Sequence, residues 1–143
     1  MRHRQYFFTD QHRWSQMKMR RVEGRDPVTQ AILGAAFEVS NTLGRGFLES
    51  VYQRALAQEL SLRGQEVARE VRFAVSYKGV DIGTYIADMI VAREVIVELK
   101  AVNGPISGPQ IAQCLNYLKA SGLQKGLILN FGQSRIEFNR LVL

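Results

Sequence analysis

From residue 26 onward the apolar positions change period, first helical, then strand-like, then helical again. Asp26-Pro27 reads as a helix cap followed by proline at the first helical position. Ile32, Ala35, Ala36, Val39 and Leu43 then recur at helical spacing, and Gly44 and Gly46 mark the end. A second helix is predicted over residues 47–63. Its apolar stripe is Leu48, Val51, Ala55, Leu56 and Leu60, and Gly64 stops it. Over residues 67–77 β-branched and aromatic residues alternate as in a strand, and Lys78-Gly79 makes a turn. Residues 82–91 and 94–100 read as two more strands. The short Ala92-Arg93 gap between them predicts an antiparallel hairpin. Asn103-Gly104-Pro105 breaks the pattern. Ser107 and Gln110 then form a capping box, with Pro109 in the first turn of a third helix. Ile111, Cys114, Leu115 and Leu118 are its buried stripe, and Gly122 ends it. Residues 126–131 are nearly all apolar, as in a strand covered on both faces, and residues 135–142 form a last strand. The order α-α-β-β-β-α-β-β is that of a mixed α/β layer fold.

Length and composition narrow the class. A chain of 143 residues is expected to form one domain with a single sizeable core. With 46% hydrophobic and 22% charged residues it has the balance of a soluble globular protein. No apolar run reaches the roughly 20 residues that span a bilayer. The first residues lack the apolar stretch of a secretory signal, so a cytoplasmic location is the expectation. The single cysteine, Cys114, excludes an internal disulfide and any site needing several thiolates. It falls on the apolar face of the third helix and reads as an inert core residue.

The net charge of +6 belongs to one end of the chain. Residues 1–25 hold seven Lys/Arg against two acids, a net +5, whereas residues 26–143 hold twelve against eleven, a net +1. The two segments read as a basic, flexible leader over residues 1–25 and a single folded domain over residues 26–143. The leader would add sequence-independent affinity for phosphates at most. His3 and His12 lie in it and are not expected to bind a metal.

The stretch from Asp88 to Lys100 carries the chemistry. Strand alternation puts Glu98 and Lys100 on one face. A hairpin pairing Val91 near Glu94 brings Asp88 within a few residues of Glu98 across the ladder. Their surroundings, Met89-Ile90-Val91 and Val95-Ile96-Val97, are apolar, so two carboxylates and an ammonium there need partners. A hard divalent cation is a natural one. Glu49, near the start of the second helix, is expected to be partly buried beside Tyr52 and Gln53. On the third helix Gln110, Gln113 and Tyr117 share a face, and Gln113 is placed to position water, substrate or a ligand. The competing reading of Glu98 and Lys100 is a same-face pair on an exposed edge strand. Tyr52, Tyr117 and Phe131 read as core residues, since no exposed aromatic-basic pattern surrounds them.

The run from Gly46 through Glu49 to Tyr52 matches the signature that names the GxxExxY proteins. Further pieces follow in order: Tyr77-Lys78-Gly79, Ala87-Asp88, IVELKAV over residues 96–102, Ala112-Gln113 with Tyr117-Leu118-Lys119, and Asn130-Phe131-Gly132. The chain resembles that family over about residues 27–143. The resemblance implies the PD-(D/E)xK nuclease-like superfamily and an α/β fold with a restriction-endonuclease-like core, a central mixed β-sheet flanked by α-helices. It implies Asp88 and Glu98 as metal-binding acids, Lys100 as the motif lysine, Glu49 as a helix-borne acid and Gln113 as a helix-borne amide. Ala87 stands where the motif has proline. Ile86 replaces an arginine, and Gln110 a histidine, that the family often carries.

The expected function is a Mg²⁺- or Mn²⁺-dependent nuclease-like phosphodiesterase. Asp88, Glu98 and the Leu99 carbonyl would hold the ion, and Lys100, Glu49 and Gln113 would serve catalysis. The expected partner is nucleic acid, DNA ahead of RNA, with no membrane and room for a homodimer. The alternative is a non-catalytic nucleic-acid- or protein-binding module on the same fold, motivated by the nearly neutral body and the Ile86 and Gln110 departures. A glycosidase using Asp88 and Glu98 as paired carboxylates is a third reading, and the lysine beside the acid disfavours it.

Overall fold

The computed structural model describes residues 5–7, 18–20 and 26–143. The elements follow the predicted order closely. Helix α1 (Pro27–Leu43) is capped by Asp26, whose side chain accepts from the Val28 N–H, with Pro27 in the first turn. Helix α2 (Glu49–Leu62) starts two residues later than its pattern predicted, because Leu48 is extended. Strands β3 (Val67–Tyr77) and β4 (Val80–Val91) form a long hairpin around Lys78-Gly79, both with positive φ. Strand β5 (Val95–Lys100) follows after Ala92 and Arg93, which take φ of 53° and 57°. Helix α3 (Gly108–Ser121) carries the predicted Ser107/Gln110 capping box and ends at left-handed Gly122. Strands β6 (Lys125–Asn130) and β7 (Glu137–Val142) complete the body.

One mixed sheet holds these strands in the order β7-β6-β5-β4-β3. β3, β4 and β5 run antiparallel in sequence, β5 and β6 are parallel, and β6 and β7 are antiparallel. Two three-residue strands from the N-terminal segment, β1 (Gln5–Phe7) and β2 (Lys18–Arg20), extend the sheet beyond β7. The rest of the leader expectation, His3 and His12 included, lies outside the described residues. No helix among the described residues is long and apolar enough to cross a membrane.

The sheet separates two apolar layers. Ile32, Ala36, Leu56 and Leu60 of α1 and α2 pack on Met89, Val97, Leu99 and Leu127. Ile111, Cys114, Leu115 and Leu118 of α3 pack on Ala87, Ile96 and Ile128 on the other face. Residues 126–131 are buried throughout, as the sequence predicted for a strand covered on both sides. β5 is thus a central strand and not the exposed edge of the competing reading. Its centrality makes a buried polar side chain on it costly wherever it lacks a partner.

Candidate metal centre

Strands β4 and β5 pair only over Met89–Val97, Ile90–Ile96 and Val91–Val95. Beyond that the ladder opens, and the first residues past the last pair are Asp88 and Glu98. Asp88 Oδ2 takes the Leu99 N–H at 2.8 Å, bridging the opening with a side chain. Across β4, Asp88 also lacks a ladder partner: Arg69 pairs with Met89 and Val71 with Ala87, while Glu70 between them takes φ of 52°. A non-glycine residue in that region is strained, and such strain concentrates where backbone is shaped for a task.

Glu98 is only 7% exposed, and its Oε1 has no hydrogen-bond partner. Burial, followed by the Asp88 charge and a hydrogen bond between the two carboxyls, pushes the Glu98 carboxyl up to about 9. A buried carboxyl with an unsatisfied oxygen is relieved by a proton or by a cation. The donors here are all hard oxygens, the set that Mg²⁺ and Mn²⁺ prefer. Among the described residues no three His, Cys, Asp or Glu gather to hold an ion alone. An ion held by Asp88 and Glu98 would therefore draw further ligands from the Leu99 carbonyl, water and phosphate, as Mg²⁺ commonly does.

Lys100 continues the Glu98 face of β5. In the parallel register Glu98 lies beside Ile128 and Lys100 beside Asn130, and Ile128 belongs to the α3 layer. Both charges act on the buried Cys114 thiol of α3, which burial pushes up and which stays inert.

A cleft of about 260 Å³ opens beside Asp88, lined by Glu49, Ser50, Gln53, Glu70, Asp88 and Leu99. Glu49 stands at the first turn of α2, where the helix dipole favours an anion. It is exposed at the rim rather than partly buried as expected, because α2 begins at that residue and leaves it no neighbouring turn. Its carboxyl is nevertheless held above the usual range, by desolvation against the cleft wall and by the Asp88 charge, with Lys100 opposing.

Gln113 does not line this cleft. It is exposed on α3, and its amide meets the Tyr117 hydroxyl. The amide in the cleft is Gln53 of α2, four residues after Glu49 and nearly buried. Its Nε2 donates to the Asp88 carbonyl and to Glu70 Oε1, each at 2.9 Å, and its Oε1 accepts from Arg69 at 3.3 Å. Gln53 thereby ties α2 to both strands of the hairpin behind the Asp88 carboxylate. Its sequence signal was its place one turn beyond Glu49 on the same helix face. Glu70 had no such signal, because its exposure to the cleft depends on the left-handed backbone.

The signature tyrosine and the Asn130-Phe131-Gly132 piece are structural supports of the site. Tyr52 is fully buried and stacked on Phe131 at 4.7 Å. Its hydroxyl donates to the Gly44 carbonyl at 2.6 Å and accepts the Phe47 N–H at 3.3 Å, fixing the chain that enters α2. The Asn130 amide bonds the carbonyls of Val102 and Gly104 and the N–H groups of Val102 and Gly132, holding the segment that leaves Lys100.

A mixed sheet between helices, with two acids and a lysine where its central strands part, defines a nuclease-type α/β fold. The pattern of the PD-(D/E)XK nuclease superfamily matches residues 26–141, and the chain belongs to that superfamily. No protein of curated function matches it. A solved structure described as "Crystal structure of SSO0001" is similar at 17% identity and a TM-score of 0.39, covering 82% of this chain and 78% of that one.

Proposed function

We propose that the protein is a Mg²⁺- or Mn²⁺-dependent phosphodiesterase acting on nucleic acid, DNA ahead of RNA. The observation that supports this best is the buried, unsatisfied Glu98 oxygen beside Asp88, one residue from the Leu99 backbone and two from Lys100. Asp88, Glu98 and the Leu99 carbonyl would hold the ion. Bound there, it would act as a Lewis acid on the phosphate and lower the pKa of a coordinated water. Lys100 orients the attacking water and offsets negative charge on the phosphate. Water attacks phosphorus in line, the P–O bond opposite breaks, and the departing oxygen takes up a proton from solvent. Glu49 orients the water network at the rim, and Gln53 holds Asp88 in place from behind. Gln113 acts from the α3 side through Tyr117.

The test is metal-dependent cleavage of DNA and RNA by the purified chain. Turnover that survives Glu98→Ala or Lys100→Ala rejects the assignment. The position of Gln113 outside the cleft favours one rival, a module that binds nucleic acid without cleaving it. That rival predicts metal-independent binding and no product with any ion.

A further inference from the structure

We infer that a second groove beside the cleft holds the nucleotide flanking the scissile phosphate of a single strand, its base laid against Phe47 and its phosphate on Arg45. This rests on the nucleolytic reading above. The groove measures about 500 Å³ and is lined by Arg45, Gly46, Phe47, Ala101, Asn103 and Gly132. That size falls within the roughly 300–1,000 Å³ of small-molecule sites. Both of its walls continue into the acidic cleft. Phe47 leads through Leu48 to Glu49, and Ala101 follows Leu99 and Lys100. A phosphodiester in the cleft between Glu49 and Leu99 therefore has its neighbouring nucleotide within reach of this groove.

The apolar wall is open to solvent. Phe47, which lines the groove, is 49% exposed, and its neighbour Leu48, outside the lining, 77%. Yet the backbone beneath them is fixed. The Tyr52 hydroxyl holds the Phe47 N–H and the Gly44 carbonyl, and the Tyr52 ring meets Phe47 edge-on at 6.1 Å. Gly46, at φ 113°, makes the turn that brings Arg45 and Phe47 to one groove. An exposed aromatic on a rigid base loses little freedom when a base stacks on it. A guanidinium two residues away supplies the phosphate partner.

Stacking selects the strandedness. The groove offers one guanidinium beside an aromatic ring rather than a basic face, and the charge of residues 1–25 would favour any phosphate backbone alike. Stacking plus a few charge contacts is the mode by which single strands bind, and paired bases have no free face to offer.

The experiment measures KM and kcat of the full chain with Mn²⁺ on a short single-stranded DNA and on its duplex. Phe47→Ala should raise KM for the single strand about tenfold with little change in kcat. Phe47→Trp, which restores a stacking face, should return KM towards the native value. Arg45→Ala should flatten the log–log salt dependence of single-strand binding by about 0.7. Both exposed substitutions should leave the circular dichroism spectrum and melting temperature intact. If the native chain cleaves single strands and Phe47→Ala leaves KM unchanged, or raises it equally for the duplex, the groove assignment is wrong and the nucleolytic reading stands. If the native chain cleaves no nucleic acid, both fall.

Discussion

The carboxylate of Asp88 accepts the backbone N–H of Leu99 at 2.8 Å, across the point where β4 and β5 cease to pair. One oxygen of the acid thus does the work of the missing ladder bond. The same bond fixes the backbone on the N-terminal side of Leu99, the residue whose carbonyl is the proposed third ligand. Asp88→Asn keeps an acceptor for that N–H and removes the charge. It should fold with nearly native stability and lose Mn²⁺ uptake in titration calorimetry. Asp88→Ala strands the N–H as well and should be destabilised by about 1–3 kcal/mol in urea melts. Native Mn²⁺ affinity in Asp88→Asn would remove Asp88 from the site.

Glu98 makes stability depend on pH in a stated direction. Its carboxyl titrates at about 9 in the fold against 4.5 in the unfolded chain, first through burial and then through Asp88. Between those values the folded state keeps a proton that the unfolded state has released, so stability falls as pH rises. The contribution is whole below about pH 4.5 and is lost progressively towards about pH 9, by at most ~1.4 kcal/mol per unit. Urea midpoints of the metal-free protein should show this decline. Glu98→Gln should flatten it, and so should saturating Mg²⁺ or Mn²⁺, which takes the place of the proton. A midpoint independent of pH in the metal-free chain would show that Glu98 is already ionised.

Lys100 is assigned to water and phosphate, not to the ion. Lys100→Met keeps the stem of the side chain and removes its charge. Metal uptake should remain within a few-fold of native while cleavage falls by at least ~100-fold, the scale of losing one preorganised charge. Equal loss of both properties would make Lys100 part of the ion's own surroundings.

Tyr52→Phe retains the stack on Phe131 and deletes the two hydroxyl bonds to Gly44 and Phe47. The expected loss is about 1–2 kcal/mol, since both partners are left at a buried hydroxyl-sized gap. Urea unfolding measures it. Loss of less than ~0.5 kcal/mol would mean that the hydroxyl does not brace the entry to α2.

Gly132→Ala tests the segment beyond Lys100. An added Cβ would stand 2.3–2.6 Å from backbone atoms of Val102, a contact that cannot be relieved by turning a side chain. The variant should lose about 1–3 kcal/mol or more and melt several degrees lower. A native melting temperature would show that the Asn130 clamp yields.

Much of this fold is legible in the sequence, because its elements follow strong periodicity with clear stops. The α1 cap, the α3 capping box and the β4–β5 hairpin all stand where the pattern put them. Asp88, Glu98 and Lys100 came together for the same reason: alternation and one short turn determine their relative places. Helix-borne groups were harder. Glu49 and Gln53 depend on where α2 begins and how it lies on the hairpin, and Gln113 turned to Tyr117 instead of the cleft. Glu70 depends on a single left-handed residue inside a strand, which no local signal announces. Phe47 carries no signal of its own in the sequence, because its neighbours Leu48 and Val51 fit an apolar helical stripe, yet all three are exposed. The triplets at residues 5–7 and 18–20 are too short for any periodicity to show.

Since β5 turns Leu99 towards the α1–α2 layer and Ile96 towards the α3 layer, its backbone is gripped from above and below. Glu98 and Lys100 inherit the spacing of their backbones from that grip, and Asp88 meets them through its bond to the Leu99 N–H. Shaving a methyl from Leu56 on one side or from Leu115 on the other, each remote from any reacting atom, would shift Glu98 and Lys100. Efforts to harden this protein by repacking either layer would move the proposed ion site as well.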